Sequence, residues 1–521
     1  MQHRSISFRD AHTFSNFFLD YIEQKDSLKP FYHRFPLVEN FKSQIEEKAE
    51  SFPESNRKVL VSTLTKQYSK LKLSEKVKSN LESLSDKKTF TIVTGHQLNI
   101  FTGPLYFIYK IVTVVNACKK LKAVYPEYNF VPVYWMASED HDYEEIKSFR
   151  LYGKKYTWNT DQKGAVGRFS NKGFDQLIKD IPGEIGLFKE AYLKQKTLAD
   201  AVRYYVNALF SEEGVIVVDA DDRDLKSQFT NVITEDIFNF TPARKVEAAS
   251  KQLEEAGYHT QVHARDINFF YVDDQLRARI EKQGEEFTVL DSSIKFSRKE
   301  LENLIKNEPE KFSPNVILRP LYQEVILPNL AYVGGPAEVV YWLQLKGIFD
   351  HFKIPFPMLM PRNFALMVDA PTQRKLEKTE LDIKDFFEEK NYLFNHWVAQ
   401  NTNHNLTLGN ELKAVQQLFE GIQQRASSID STLGPLVGAK AKKVYDSLEN
   451  IEKKFLKAEK RHHTDKLRQI EAVKDTLFPN GGLQERTDNF LNFYQQDQEF
   501  IQKLVDHLDP FDFSFNVMSY D

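Results

Sequence analysis

The sequence predicts an α/β fold: a parallel sheet wrapped by helices, with a long helical coiled-coil arm in the C-terminal third. Three observations lead there. The stretch from Thr91 to Glu145, TIVTGHQLNIFTGPLYFIYKIVTVVNACKKLKAVYPEYNFVPVYWMASEDHDYEE, reads as strand, polar loop, amphipathic helix, strand and acidic loop, which is one β-α-β unit. Its second strand, Val131–Met136, is almost wholly apolar, as a strand covered on both faces must be. Beyond Leu408, apolar residues step by alternating fours and threes over many turns.

Taken in order, the residues from about Asp10 to Asp86 carry helical periodicity, in Phe14, Phe17, Phe18 and Tyr21 and again in Val59, Leu60 and Leu64. They should form a helical layer against the sheet. Phe90–Thr94 supplies the first strand. Gly103-Pro104 should open the next helix with the proline in its first turn, and Leu105, Ile108, Val112 and Val115 give that helix a buried face. After Lys147 the alternating stretches SFRLYG and KKYTW suggest a small β insertion. GVIVVDADDRD, from Gly214, reads as another buried strand ending in acids; Asp219, Asp221 and Asp222 could bind a metal or a ribose, or Asp221 could cap the next helix. FFYVDD and FTVLD should be hairpin members. Between Ser313 and Phe364, Gly334-Gly335-Pro336 opens a helix at Ala337-Glu338, and Phe356–Met360 forms a strand closed by Pro361-Arg362.

The arm carries two heptad seams. The first runs Leu408, Leu412, Val415, Phe419, Ile422, Ala426, Ile429 and Leu433, and Gly434-Pro435 interrupts it. The second runs from Val437 through Ile451 and Phe455 to Leu477, with successive steps of four around His462 and Lys466, a stutter where supercoiling relaxes. At ~1.5 Å per residue the second helix should reach roughly 60 Å. An antiparallel hairpin projecting from the globular body is expected, with a helix from about Pro371 to Tyr392 near its base and His462 as a register residue. Gln484, Glu485 and Arg486, just beyond, either tie the arm to the sheet or line a pocket.

At 521 residues the chain exceeds a single ordinary core. The expected divisions are 1–146, N-terminal helices and the first half of the core; 147–312, the rest of the core with α+β insertions; 313–368, the second half of the site-bearing core; 369–480, the arm; and 481–521, a segment returning to the core. Lys+Arg 70 against Asp+Glu 74 gives a formal charge of -4, so the total advertises neither a nucleic-acid binder nor a polybasic membrane surface. The single cysteine, Cys118, excludes an intrachain disulfide framework and a CxxC zinc site, and suits a reducing cytoplasm. No stretch resembles a signal peptide or a membrane span. These features describe a soluble intracellular protein.

In a doubly wound sheet, ligands sit outside the carboxyl ends of the strands. Thr94, Gly95, His96 and Gln97 therefore face a crevice with Ser138-Glu139-Asp140-His141-Asp142. The first group could cradle phosphates, although GxGxxG and GxxxxGK[ST] are both missing. Asp140, His141 and Asp142 could ligate a metal weakly, or His141 or a neighbouring acid could do general acid-base work. Alternatively SEDHDYEE only caps a helix, through Ser138 or Asp140. Gly334 and Gly335 before a helix start would let an anion approach the backbone.

TGHQLNIFTGPLYFIYK and VPVYWMASEDHDYEEI, followed in order by LRPLYQE, YVGGPAE, MPR and LFPNGGLQER, resemble the bacillithiol-biosynthesis cysteine ligase family (BshC) over most of the chain. The resemblance implies a Rossmann-like core with connecting insertions, a C-terminal coiled coil associated with a homodimer, and a reaction joining cysteine to glucosaminyl-malate. His96 stands where the family can have Gln. On this reading ATP, with Mg2+, activates the cysteine carboxylate. His96, Asp140 and His141 are the candidate catalytic residues. Thr94, Gly95, Gln97 and Asp142, with Gly103 and Pro104 setting the helix start, are candidates for nucleotide or substrate binding; Arg319, Glu324, Gly334, Gly335, Glu338 and Arg362 line the opposite side, with the two arginines holding malate or a phosphate. Two rivals stand beside it: a metal-assisted hydrolase using His96, Asp140, His141 and Asp219, and a non-catalytic nucleotide-binding scaffold whose arm recruits partners.

Overall fold

A strand buried on both faces has no room for polar alternation, and the central strands obey that rule. The structure, a computed structural model, describes residues 2–520. Its main sheet is parallel, in the spatial order Met358–Pro361, Asn329–Gly334, Thr89–His96, Asn129–Met136 and Ile216–Asp219. The chain begins in the middle, winds to one edge, then crosses over to build the other. That reversal puts a topological switch between Thr89–His96 and Asn329–Gly334, where such sheets open a crevice. Register sets Gly95 beside Trp135, His96 beside Met136 and Gly334 beside Pro361. Four chain segments thus end along one edge.

The helix Tyr106–Val124 packs Val114, Ala117 and Leu121 against this sheet, and Phe41 and Ile45 of the helix Phe41–Ser51 join the same core. Val114, Leu121, Phe41 and Ile45, fully buried, each contribute about 1.5–3 kcal/mol. Cys118 lies in this layer, its thiol pKa pushed up by burial.

Where the helix begins differs from the expectation. Its first residue is Tyr106 and its N-cap is Leu105, so Pro104 lies ahead of the first turn. Phe101, Thr102 and Gly103 all have positive φ, and a Cβ on Gly103 would come within 2.5 Å of Asn99 Cβ. Tertiary hydrogen bonds hold this unusual run: Asn489 Nδ2 donates to the Phe101 and Gly103 carbonyls at 2.7 and 2.6 Å, and the Leu105 amide donates to the Asp488 carbonyl at 2.7 Å.

The insertions are β-rich. Ser148–Leu151 and Lys154–Thr157 form a hairpin. Phe269–Asp273 and Glu286–Val289 are hairpin strands joined through Leu276–Gln283, inside a five-stranded antiparallel sheet. Asp222, not Asp221, caps the short helix Arg223–Ser227, because Asp221 is engaged by Arg168 and Lys226.

Thr13–Leu366 and Gln484–Met518 belong to one compact unit, Met367–Leu483 to a second. In the second, Gly409–Ile429 and Leu433–His462 form a helical hairpin, with Phe419 edge-on to Tyr445 across it. The single helix of roughly 60 Å expected from ~1.5 Å per residue is broken in two. One helix ends at His462 and another begins at Thr464, with His463 non-helical between them. The stutter is a full interruption, because Glu459 gathers Thr402, His404 and His463 at 2.8, 3.1 and 3.3 Å and Trp397 meets the His463 ring edge-on. His462 itself is exposed. The helix expected from Pro371 to Tyr392 is also divided, into Ala370–Glu377, a 3-10 turn at Ile383–Phe387 and Lys390–Asn401. Among the described residues no helix is long and apolar enough to cross a membrane.

Candidate active site

Outside the carboxyl ends of the strands lies a cavity of about 410 Å³, within the size range of small-molecule sites. Gly95, His96 and Gln97 enter it from the first strand, Trp135 to Ala137 with Glu139 and Asp140 from the second, and Gly335 to Glu338 from the helix after Asn329–Gly334. Arg277 reaches it from the antiparallel insertion. Arg319, Arg362 and Arg486 complete a cationic wall.

His96 is the least satisfied group. Its ring sits edge-on to Tyr106 and tilted on Phe107, at 5.3 and 5.1 Å, and its Nε2 is shielded from solvent with no hydrogen-bond partner. Burial, then the charges of Lys110 and Arg362, hold its pKa well below the usual 6.5. The ring is therefore neutral near pH 7 and has a nitrogen to offer a ligand.

Lys110 rises from the buried face of the adjoining helix. It donates to the Gly95 carbonyl at 2.7 Å and pairs with Glu338 at 2.6 Å. Glu338 also accepts from the Gly335 amide and the Tyr332 hydroxyl, both at 2.7 Å. Burial raises its carboxyl pKa, but these contacts outweigh that and hold it below the ordinary range. The Gly-Gly helix start thus already holds a carboxylate, its own Glu338. An incoming phosphate would have to meet Arg319 or the exposed Arg486, and both fit such a ligand.

The acidic loop is satisfied internally. Asp140 accepts from Gln97 at 2.7 Å and from the His141 amide at 2.7 Å, and faces Arg277 at 3.5 Å. Burial pushes its pKa up, but His141, Arg277 and Gln97 together bring it below the usual carboxylate range. Lys226, buried behind it, joins Glu139 and Asp221 at 2.5 and 3.3 Å. His141 is exposed, and its Nδ1 lies 2.7 Å from Arg277 Nη1. The same Nδ1 lies 3.3 Å from Asp140 Oδ1, so the ring stands between the guanidinium and the carboxylate. His141 braces Arg277, which also stacks on Phe270 at 3.9 Å.

Of the residues singled out in the sequence, Gly95, His96, Gln97, Asp140, Arg319, Gly335, Glu338 and Arg362 meet at the cavity. The others do not line it. Thr94 is buried and its hydroxyl donates to the Val333 carbonyl. Gly103 and Pro104 shape the turn before the helix. Asp142, rather than Ser138 or Asp140, caps Tyr143–Ile146, while Ser138 donates to Asp219. Glu324 is wholly buried against Lys48 at 2.9 Å, and Gly334 closes its strand. Glu485 ties Arg362 down through two hydrogen bonds, both residues lying in the first unit, while Arg486 lines the cavity. Lys110, Arg277 and Tyr106 were missed; a lone lysine inside the apolar run YFIYKIVTVV was the available signal for the first. Among the described residues no group of three His, Cys, Asp or Glu side chains is arranged to hold a metal. Among the described residues, His96, Asp140, His141 and Asp219 do not gather about one point.

Comparison with known proteins covers nearly the whole chain. Residues 1–363 match the family model described as bacillithiol biosynthesis BshC, N-terminal Rossmann-like domain, and residues 365–520 match its C-terminal coiled-coil domain. A protein of Flavobacterium johnsoniae is 42% identical over 99% of both chains, and one of Flavobacterium psychrophilum is 42% identical over 99% of both. A Salinibacter ruber protein is 31% identical over 92% of this chain and 91% of its own. All three carry the name "Putative cysteine ligase BshC".

Proposed function

We infer the function from one established premise: the chain belongs to the BshC family of bacillithiol biosynthesis. We propose that it is a cytoplasmic ligase that adds cysteine to glucosaminyl-malate by forming an amide bond, with ATP as the co-substrate that activates the cysteine carboxylate. The observation that carries this is a neutral imidazole with a free Nε2 in a cavity otherwise rich in cations. Amide formation needs both: positive groups to gather acidic substrates, and an uncharged base for the amine.

In this reading the sugar amine attacks in its uncharged form: its nitrogen bonds to the activated cysteine carbonyl carbon and, as it becomes positive, gives a proton to His96 Nε2. The bond from that carbon to the activating phosphate or adenylate oxygen breaks, the electron pair leaving with the oxygen, one hydrogen stays on the amide nitrogen, and His96 passes its proton to the leaving oxygen or to water. Asp140, held charged, orients the amine. Mg2+ would enter on the nucleotide phosphates, and no residue here needs it. A homodimer fits the second unit, since no residue of Gly409–Ile429 is buried and Ile429, Ile451 and Phe455 of the seam are 80%, 40% and 42% exposed; sedimentation of the full chain reads this directly. The function is tested by incubating the protein with cysteine, glucosaminyl-malate and ATP and following bacillithiol, AMP and ADP by mass spectrometry. Bacillithiol with matching nucleotide turnover is expected. Nucleotide turnover without product, or no reaction, overturns the reading.

A further inference from the structure

The cavity's arginines are not equivalent. Arg362 is buried and locked to Glu485 by hydrogen bonds of 3.0 and 2.5 Å, which spends two of its three nitrogens inside the protein. Arg277 is held by His141, Asp140 and Ser313. Arg486 is exposed at the edge of the cavity. Arg319 is different. Among the described residues it forms no ion pair; its Nη1 donates to the neutral Gln323 at 3.1 Å, its side chain also interacts with the Tyr341 hydroxyl, and its Nη2 is shielded from solvent without a partner.

What holds Arg319 is aromatic. Its guanidinium carbon lies 5.5, 5.2 and 5.8 Å from the ring centroids of Trp135, Tyr332 and Trp342. Cation–π contacts of this kind stabilise a desolvated cation and fix its plane without neutralising it. Gly95 contributes by lacking a side chain: a Cβ there would stand 3.4 Å from Arg319 Nη1 and 3.2 Å from the Tyr332 hydroxyl. A half-buried, oriented cation with an unpartnered N–H and no counter-ion leaves a place for an anion. A planar oxyanion arriving from the cavity would complete it.

We propose that Arg319, caged by Trp135, Tyr332 and Trp342 against the bare Gly95, is the cavity's oxyanion receptor and binds a carboxylate of the acidic acceptor. Arg362 is instead a fixed wall. The assignment to the acceptor rests on the ligase reading, whereas the receptor itself does not.

The test is calorimetric titration of the full chain with L-malate and, separately, with inorganic phosphate, needing neither ATP nor turnover. Malate binding should weaken at least tenfold in Arg319→Gln, less in Arg319→Lys, which keeps the charge but loses the fork, and severalfold in Gly95→Ala; circular dichroism confirms that each variant is folded. Phosphate binding alone, lost in Arg319→Gln, upholds the receptor and assigns it to a nucleotide phosphate. Malate bound by Arg319→Gln within twofold of the parent, or neither anion bound by the parent, overturns the proposal. Because the titrations are independent of catalysis, a failed ligase assay leaves their outcome readable, and the reverse also holds.

Discussion

Two polar loops leave neighbouring strands of one sheet, and they are built in opposite ways. After Thr89–His96 the loop presents an imidazole nitrogen with nothing to bond. After Asn129–Met136 the acidic loop consumes its own groups: Asp140 on Gln97 and Arg277, Asp142 on a helix end, His141 on Arg277. By sequence the second loop is the richer in chemistry. By structure it is the first that holds an unpaired group, since a buried polar atom left unpaired by the fold is costly until something pairs it. A related contrast separates Arg319, which has no carboxylate partner among the described residues, from Arg362, which is ion-paired to Glu485 although its Nε has no partner.

That contrast can be broken at its satisfied side. Removing Glu485 would strand the buried Arg362, and loss of one partner from a buried pair costs about 3–5 kcal/mol; chemical denaturation of Glu485→Ala should show it, whereas folding unchanged within error would mean the pair is not structural. The bare side can be sharpened by pH. An unfolded imidazole takes its proton near 6.5, while His96 in the fold refuses it until much lower pH. The folded pKa is depressed, so this contribution is full above about 6.5 and is lost as pH falls. Parental stability should drop by at most about 1.4 kcal/mol per pH unit below that value, and His96→Gln should flatten the slope. Smallest is Asp142→Ala, where loss of a helix cap should cost about 1 kcal/mol and leave turnover unchanged; a fall in turnover at equal stability would return Asp142 to the site.

Much of this was legible in the chain. Apolar strands with polar tips place His96, Gln97 and Asp140 at one sheet edge, because strand burial and strand ends are local properties. What each polar group bonds to is not local. The Gly335 amide looked like an anion seat, yet Glu338, three residues on, folds back to fill it. Arg277 comes from a strand of the antiparallel insertion, and its position depends on where that sheet docks. The stutter near His462 showed that the supercoil relaxes there; the break at His463 depends on Glu459, Thr402, His404 and Trp397 converging.

The central claim is that the bare loop does the chemistry and the satisfied loop supports it. The direct measurement is kcat for bacillithiol formation by His96→Gln and His141→Gln, side by side in the same assay. Loss of a general base should lower kcat by about 10²-fold or more in the first, while the second, which only loosens Arg277, stays within tenfold of the parent. Equal losses, or a larger loss at His141, would contradict the account.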